Sequence, residues 1–421
     1  MFLPRTCALG ASWLLLMLAV SSCTADEPAG KEPATPGLNA ETFRGLELRN
    51  IGPALKSGRI SDIVLHPQNR SIWYVAVGSG GVWKTVNAGT TWEPIFDNEG
   101  SYSIGALALD PRRPQTLWVG TGENVSGRHV GFGDGLYRSL DGGGSWTHMG
   151  LAESERIGMI RVHPEDSNIV YVAAQGPLWS GGGDRGLYKT TDGGNTWQKI
   201  LGGGEYTGVS EVHLDPRDPD TLYAVTWQRL RTVAALMDGG PETGIHKSTD
   251  GGTTWRRLAE GLPESHMGKT GLAISPIKPD VLYATIETDR RSGGFWRSED
   301  GGETWEKRSD YLSSGTGPHY YQELFASPHD FDRVYQADVY LHYTKDGGNN
   351  FIKTERANKH VDHHAMAFDP NDPNYLIVGN DGGVYESFDK GETWKFVANL
   401  PVTQFYKVTV DNREPFYNIY G

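Results

Sequence analysis

One eight-residue motif, S/T-x-D-G-G-x-T-W, returns seven times in this chain, and no other feature restricts the fold as strongly. It reads TVNAGTTW at 85–92, SLDGGGSW at 139–146, TTDGGNTW at 190–197, STDGGTTW at 248–255, SEDGGETW at 298–305, TKDGGNNF at 344–351 and SFDKGETW at 387–394. The last residues of successive copies stand 54, 51, 58, 50, 46 and 43 positions apart. A β-solenoid would need a shorter and more uniform repeat.

Each copy is preceded by a short aromatic run such as Gly135-Leu136-Tyr137-Arg138 and followed by a strand-like run such as Trp197-Gln198-Lys199-Ile200, so it occupies a hairpin turn. Asp141, Asp192, Asp250, Asp300, Asp346 and Asp389 are placed to accept backbone N–H groups of their own turns, and the motif glycines reach positive φ without a Cβ clash. The tryptophan packs between units. Upstream lies an alternating strand ending in proline, as in RISDIVLHP (59–67), SIGALALDP (103–111) and HVDHHAMAFDP (360–370), and a second strand follows it. Four strands per unit make an all-β chain, a β-propeller of four-stranded blades whose first strands line a central channel. The 55 glycines and 13 tryptophans suit such a fold.

Leu46 to Ile51 reads as a fourth strand without its blade. Gln404 to Val410 and Phe416 to Tyr420 read as the first two strands of an eighth unit that stops at Gly421. The expectation is a propeller over 43–421, truncated before its ring or a tandem propeller is complete, in which the two end segments share a blade.

Arg5 and the apolar run Ala11 to Val20, closing on Val20-Ser21-Ser22-Cys23, form a signal peptide over 1–22 with a lipobox. Cys23 is then the lipidated first residue, and the Pro- and charge-rich stretch 23–42 is a flexible tether. Thr24 is not acidic, which in a Gram-negative cell favours the outer membrane or cell surface. The other cysteine, Cys7, lies inside the signal, so no disulfide is expected. A net charge of −13 argues against a nucleic-acid partner.

The motifs, with GRISDIVLHP, YVAVGSGGVWKT, TGEN, HVDHHA and GNDGGVYES, resemble the Asp-box (BNR-repeat) propellers of sortilin N-terminal-domain-like bacterial proteins and xyloglucanase-type glycoside hydrolases, over residues 46–421. The repeat specifies the fold and not the function. Resemblance to the xyloglucanase type implies two catalytic aspartates, one on each of two tandem propellers, the first in a stretch like T-D-I-G-G-A-Y-R. The matching stretch Val77 to Lys84 puts Gly78 at that position, and glycine moves no proton. The seventh unit keeps the pattern as Asn380-Asp381-Gly382-Gly383, making Asp381 the nearest counterpart. A sialidase-like arginine triad is matched only by Arg59, Arg156 and Lys269, at similar levels of three channel strands.

Three further groups carry chemistry. His360, Asp362 and His364 share one face if residues 360–364 are a strand, and two imidazoles with a carboxylate bind Zn or Fe; otherwise they line a wet channel mouth. Glu123, in the inserted TGEN loop, is a second acid or base candidate or a loop cap. Trp179 and Trp227 in longer insertions are ligand platforms if exposed and structural if buried. Two functions stand: the favoured one is a sortilin-like module binding a peptide or glycan, the alternative a β-glucan-hydrolysing enzyme whose second carboxylate lies outside this chain. Ligand and oligomeric state are open.

Overall fold

The computed structural model describes residues 58–289, 292–312, 317–354 and 358–421. The signal, Cys23, the tether and Leu46 to Ile51 lie outside the described residues. Seven four-stranded antiparallel sheets follow one another in chain order as blades 1 to 7. Their inner strands are Ile60–Leu65, Ile104–Leu109, Ile157–Val162, Thr207–Asp215, Thr270–Ile274, Leu324–Ala326 and His363–Phe368. Their outer strands are Glu93–Pro94, Thr147–His148, Gln198–Leu201, Arg256–Arg257, Glu306–Ser309, Ile352–Lys353 and Lys395–Phe396.

The repeated motif is the turn between third and outer strands. In blade 2, Asp141 accepts the Ser145 N–H (2.9 Å), the Ser145 hydroxyl (2.7 Å) and the Ser139 hydroxyl (2.7 Å), while Ser139 Oγ accepts the Gly143 N–H (2.8 Å). These donors hold the Asp141 carboxyl well below the usual carboxylate range, and the same bonding brings Asp192 and Asp250 to about 2. Asn87 substitutes in blade 1 by accepting the Thr91 N–H at 2.9 Å. The motif also joins blades. Lys84, Lys189 and Lys247 lie over Tyr74, Tyr171 and Tyr223 and each donates to the first motif glycine's carbonyl in the next blade, at 2.7 Å.

Among the described residues the core is seven interblade layers, with a small separate cluster of Val125, Val130 and Leu178. Strand alternation sends Trp73, Val75 and Val77 to one side and Tyr74 and Ala76 to the other, so each second strand feeds two layers. One layer sets Ile60, Trp73 and Val75 of blade 1 against Ile377, Val384 and Leu400 of blade 7, which closes the ring at seven. Arg70 reinforces this seam through Asp369 (3.3 Å) and Asp372 (2.9 Å). Among the described residues the expected eighth unit, Gln404 to Val410 with Phe416 to Tyr420, is reduced to a short hairpin, Thr409–Val410 with Ile419–Tyr420, and Tyr406 and Phe416 beside it are exposed.

One irregularity positions the functional residues. The inner strands of blades 1, 2, 3, 4 and 7 each carry a register break near their start, at Ser61, Gly105, Gly158, Ser210 and His364. A bulge re-aims the side chain it carries. Serine or glycine suits the crowded interblade space, as where Ser61 Oγ donates to the Ile104 carbonyl of the next blade at 2.7 Å. In blade 7 the bulge carries an imidazole.

Candidate functional site

A buried ionic cluster sits where the inner strands begin. Arg59, just ahead of the first inner strand, donates from Nε (2.7 Å) and Nη2 (3.0 Å) to the two oxygens of Asp381, and from Nη1 to Glu123 Oε1 (2.6 Å). Asp381 comes from the turn between the second and third strands of blade 7, and Glu123 from the long connection of blade 2. His364 Nε2 adds a contact of 3.0 Å to Asp381. Burial alone would raise the Asp381 carboxyl, but hydrogen bonds from His364 and Arg59 outweigh it and hold the group well below the usual carboxylate range. The same two carboxylates keep Arg59 charged against its own burial. Glu123 is 3% exposed and Asp381 27%, so of the two carboxylates Asp381 is the one that faces solvent.

Gly78 and Glu123 belong together. A Cβ on residue 78 would stand 2.7 Å from Glu123 Oε1, so the Glu123 carboxylate fills the space a side chain there would take. The position without a carboxylate in the sequence therefore has one in space, supplied by the neighbouring blade.

Other expectations need correction. His360, Asp362 and His364 do not form a metal-binding face, because the strand begins at His363 and Asp362 adopts φ 64°, which breaks the alternation. Their polar atoms are directed elsewhere: His360 Nδ1 to the Val361 carbonyl (2.8 Å), Asp362 to the Tyr321 hydroxyl (2.5 Å) and His364 to Asp381. Among the described residues no three His, Cys, Asp or Glu side chains group so as to hold a metal ion. Arg59, Arg156 and Lys269 form no shared carboxylate clamp; Arg156 pairs with Glu155 (2.7 Å) and Lys269 with Glu323 (2.7 Å). Trp227 is buried beneath Arg229 and Lys269 and serves packing. Trp179 is 44% exposed, and Tyr102, between blades 1 and 2, and Phe132, in the long connection of blade 2, are exposed as well.

Sequence reasoning passed over a cleft of about 530 Å³ bordered by Asp238, His266, Glu287, Asp289 and His319. Burial, then the charge of Glu287 and a hydrogen bond to it, keep the Asp238 carboxyl well above the usual range, while burial, Arg231 and Lys269 lower the His319 imidazole to about 4. No motif spacing joins these residues; only the fold does. A carboxyl whose pKa rises on folding stabilises the protein at pH values below its unfolded value and withdraws that stability as pH rises toward its folded value. Asp238→Asn should therefore melt higher than the parent at about pH 7 and lose the advantage at about pH 3, below the ordinary Asp range. Equal melting differences at both pH values would contradict a protonated Asp238.

The family described as sortilin, neurotensin receptor 3 (Sortilin-Vps10) matches at residues 134–290 and 293–416. A xyloglucanase of Hypocrea jecorina is 26% identical over 402 residues, covering 85% of this chain and 41% of its own length. Among solved structures, the GH74 xyloglucanase of Xanthomonas campestris superposes with a TM-score of 0.61 at 16% identity, over 83% of this chain and 55% of its own. A structure of YCF48 bound to D1 peptide superposes with a TM-score of 0.52 at 15% identity, over 82% of this chain and 98% of its own. The chain thus spans less than half the length of that curated xyloglucanase.

Proposed function

The chain belongs to the Sortilin-Vps10 family, and from that premise we propose that its propeller is the carboxylate-bearing module of a β-glucan-directed glycoside hydrolase, with Asp381 the group that meets substrate. The observation that carries this reading is the Asp381–Arg59–Glu123 cluster: two carboxylates at the mouth of the ring, one of them in the space of residue 78. The xyloglucanase relatives support the substrate class. Asp381, fixed as an anion by Arg59 and His364, suits a charge-stabilising role rather than that of proton donor. The proton donor that such an enzyme requires is a second carboxyl with a raised pKa, which the Asp381–Arg59–Glu123 cluster does not supply.

The test is reducing-end release from xyloglucan by the full-length protein. Asp381→Asn should cut release by about a hundredfold or more, the usual scale for removing a positioned charge-stabilising group. An unchanged rate in that variant, or no release by the parent, ends the hydrolase reading. A second reading, a non-hydrolytic peptide- or glycan-binding module, is favoured by the exposed Tyr102, Phe132 and Trp179 side chains and by the peptide complex of the structurally similar YCF48. Retention of xyloglucan oligosaccharides without turnover would choose it.

A further inference from the structure

We infer that the channel inside the ring holds a binding site for a small amino acid, its carboxylate taken by Arg161 and its ammonium by Glu211. The site goes beyond the hydrolase reading and uses none of Asp381, Arg59 and Glu123. A cavity of about 230 Å³ lies along the inner strands, with Asp62, Arg161, Glu211, His213 and Glu323 in its wall. Its volume suits one small molecule. Counted from the bulges at Gly158 and Ser210, Glu211 is the first residue that blade 4 turns to the channel and Arg161 the second that blade 3 does. Two residues of strand rise about 7 Å, a span that a short dipolar molecule with a hydrogen bond at either end can cover.

Arg161 carries its charge without a direct counter-ion. Burial pushes its guanidinium below the ordinary value, and Asp62 and Glu211 oppose this through space, with no hydrogen bond to it. Nη1 donates to the Ile160 carbonyl at 3.2 Å, whereas Nε and Nη2 take no partner among the described residues. That free edge is the one Arg59 uses to hold both oxygens of Asp381, and it fits a carboxylate with two parallel bonds. Glu211 is 6% exposed, and its Oε2 meets the Leu272 N–H and His213 Nε2, each at 3.0 Å, while Oε1 takes no partner among the described residues. Burial pushes the His213 imidazole down, so at neutral pH it does not offset the carboxylate. Neither Oε1 nor the Arg161 edge is among the unpaired atoms that protein encloses completely, so both open on the cavity their residues line.

The wall selects against a single charge. A lone anion would meet Asp62 and Glu211, and a lone cation would meet Arg161, while Glu323 is already matched by Lys269 at 2.7 Å. A molecule with a charge of each sign satisfies both ends. Each bond then offsets the cost of holding the wall charge out of bulk water. Leu324, Phe325 and Met366 add an apolar stretch against which a short side chain can pack.

The experiment titrates the full chain with L-alanine in a calorimeter, beside propionate, ethylammonium and D-glucose, which keep its carboxylate, its ammonium or neither. The expected result is saturable binding of L-alanine that weakens about ten- to hundredfold in Glu211→Gln and in Arg161→Gln, the scale of a hydrogen bond to a charged group. Propionate and ethylammonium should each bind at least about tenfold more weakly than L-alanine. Glutamine at 211 keeps an oxygen for the Leu272 N–H, so that variant should melt within a few degrees of the parent, which separates lost binding from lost fold. No binding heat with millimolar L-alanine overturns the site. Propionate or ethylammonium binding as tightly as L-alanine makes it a simple ion site and overturns the zwitterion. Unchanged L-alanine affinity in both variants, or binding of D-glucose in its stead, overturns the assignment to Arg161 and Glu211. None of these outcomes bears on release from xyloglucan, so the hydrolase reading stands or falls separately.

Discussion

Replacing Arg59 with Met is expected to lower the unfolding free energy by about 3–5 kcal/mol, the scale for removing one partner from a buried ionic group. The guanidinium is the cation that Asp381 and Glu123 share, at 2.7 and 2.6 Å, and Glu123 is 97% buried in side chain. Without it, two carboxylates remain at the junction of blades 7, 1 and 2 with His364 as the nearest possible counter-charge. The loss should be read as a lower denaturation midpoint at constant slope. If orphaned charge is the cause, adding Asp381→Asn and Glu123→Gln to Arg59→Met restores most of the stability. A triple variant as unstable as the single one would assign the loss to packing.

Introducing aspartate at Gly78 is the second large effect, about 3 kcal/mol of destabilisation or more. The Gly78 backbone is not left-handed, so a side chain is excluded by Glu123 and not by strain. Glu123 has little room to give way, since Arg59 and the shared bond of its own N–H to Ser103 Oγ (3.1 Å) hold it. The new carboxylate would meet an existing one in a buried site, adding repulsion to overlap. Combining Gly78→Asp with Glu123→Ala moves the carboxylate from blade 2 to blade 1 and should recover more than half of the loss. The pair behaving additively in denaturant melts would show that the two positions do not share one space.

The sequence comparison within the family resemblance finds glycine where the xyloglucanase type has an acid, which favours binding over hydrolysis. In three dimensions the acid is present, delivered from a position 45 residues further along the chain, and the hydrolase reading gains. Asp381 and Glu123 were separately visible as acids; their shared arginine was visible only as one member of a supposed triad.

The sequence by itself determined the seven blades, though not the closure of the ring at seven, which it placed in a shared eighth blade. Seven copies of a turn whose hydrogen bonds close within eight residues give seven hairpins, and period-two alternation gives each strand a face for either neighbour, so local chemistry suffices. Asp141, Asp192 and Asp250 act where the motif puts them because their partners are two to four residues away. Only the tertiary structure decided the site. Arg59 and Asp381 are 322 positions apart, and they meet because blade 7 closes on blade 1. His364 left the face expected of it because one extra residue at the start of an inner strand reverses the alternation, and a bulge is written in the pairing of two strands rather than in either alone. Asp238 and Glu287 meet because the fold sets blades 4 and 5 side by side, with no motif in common.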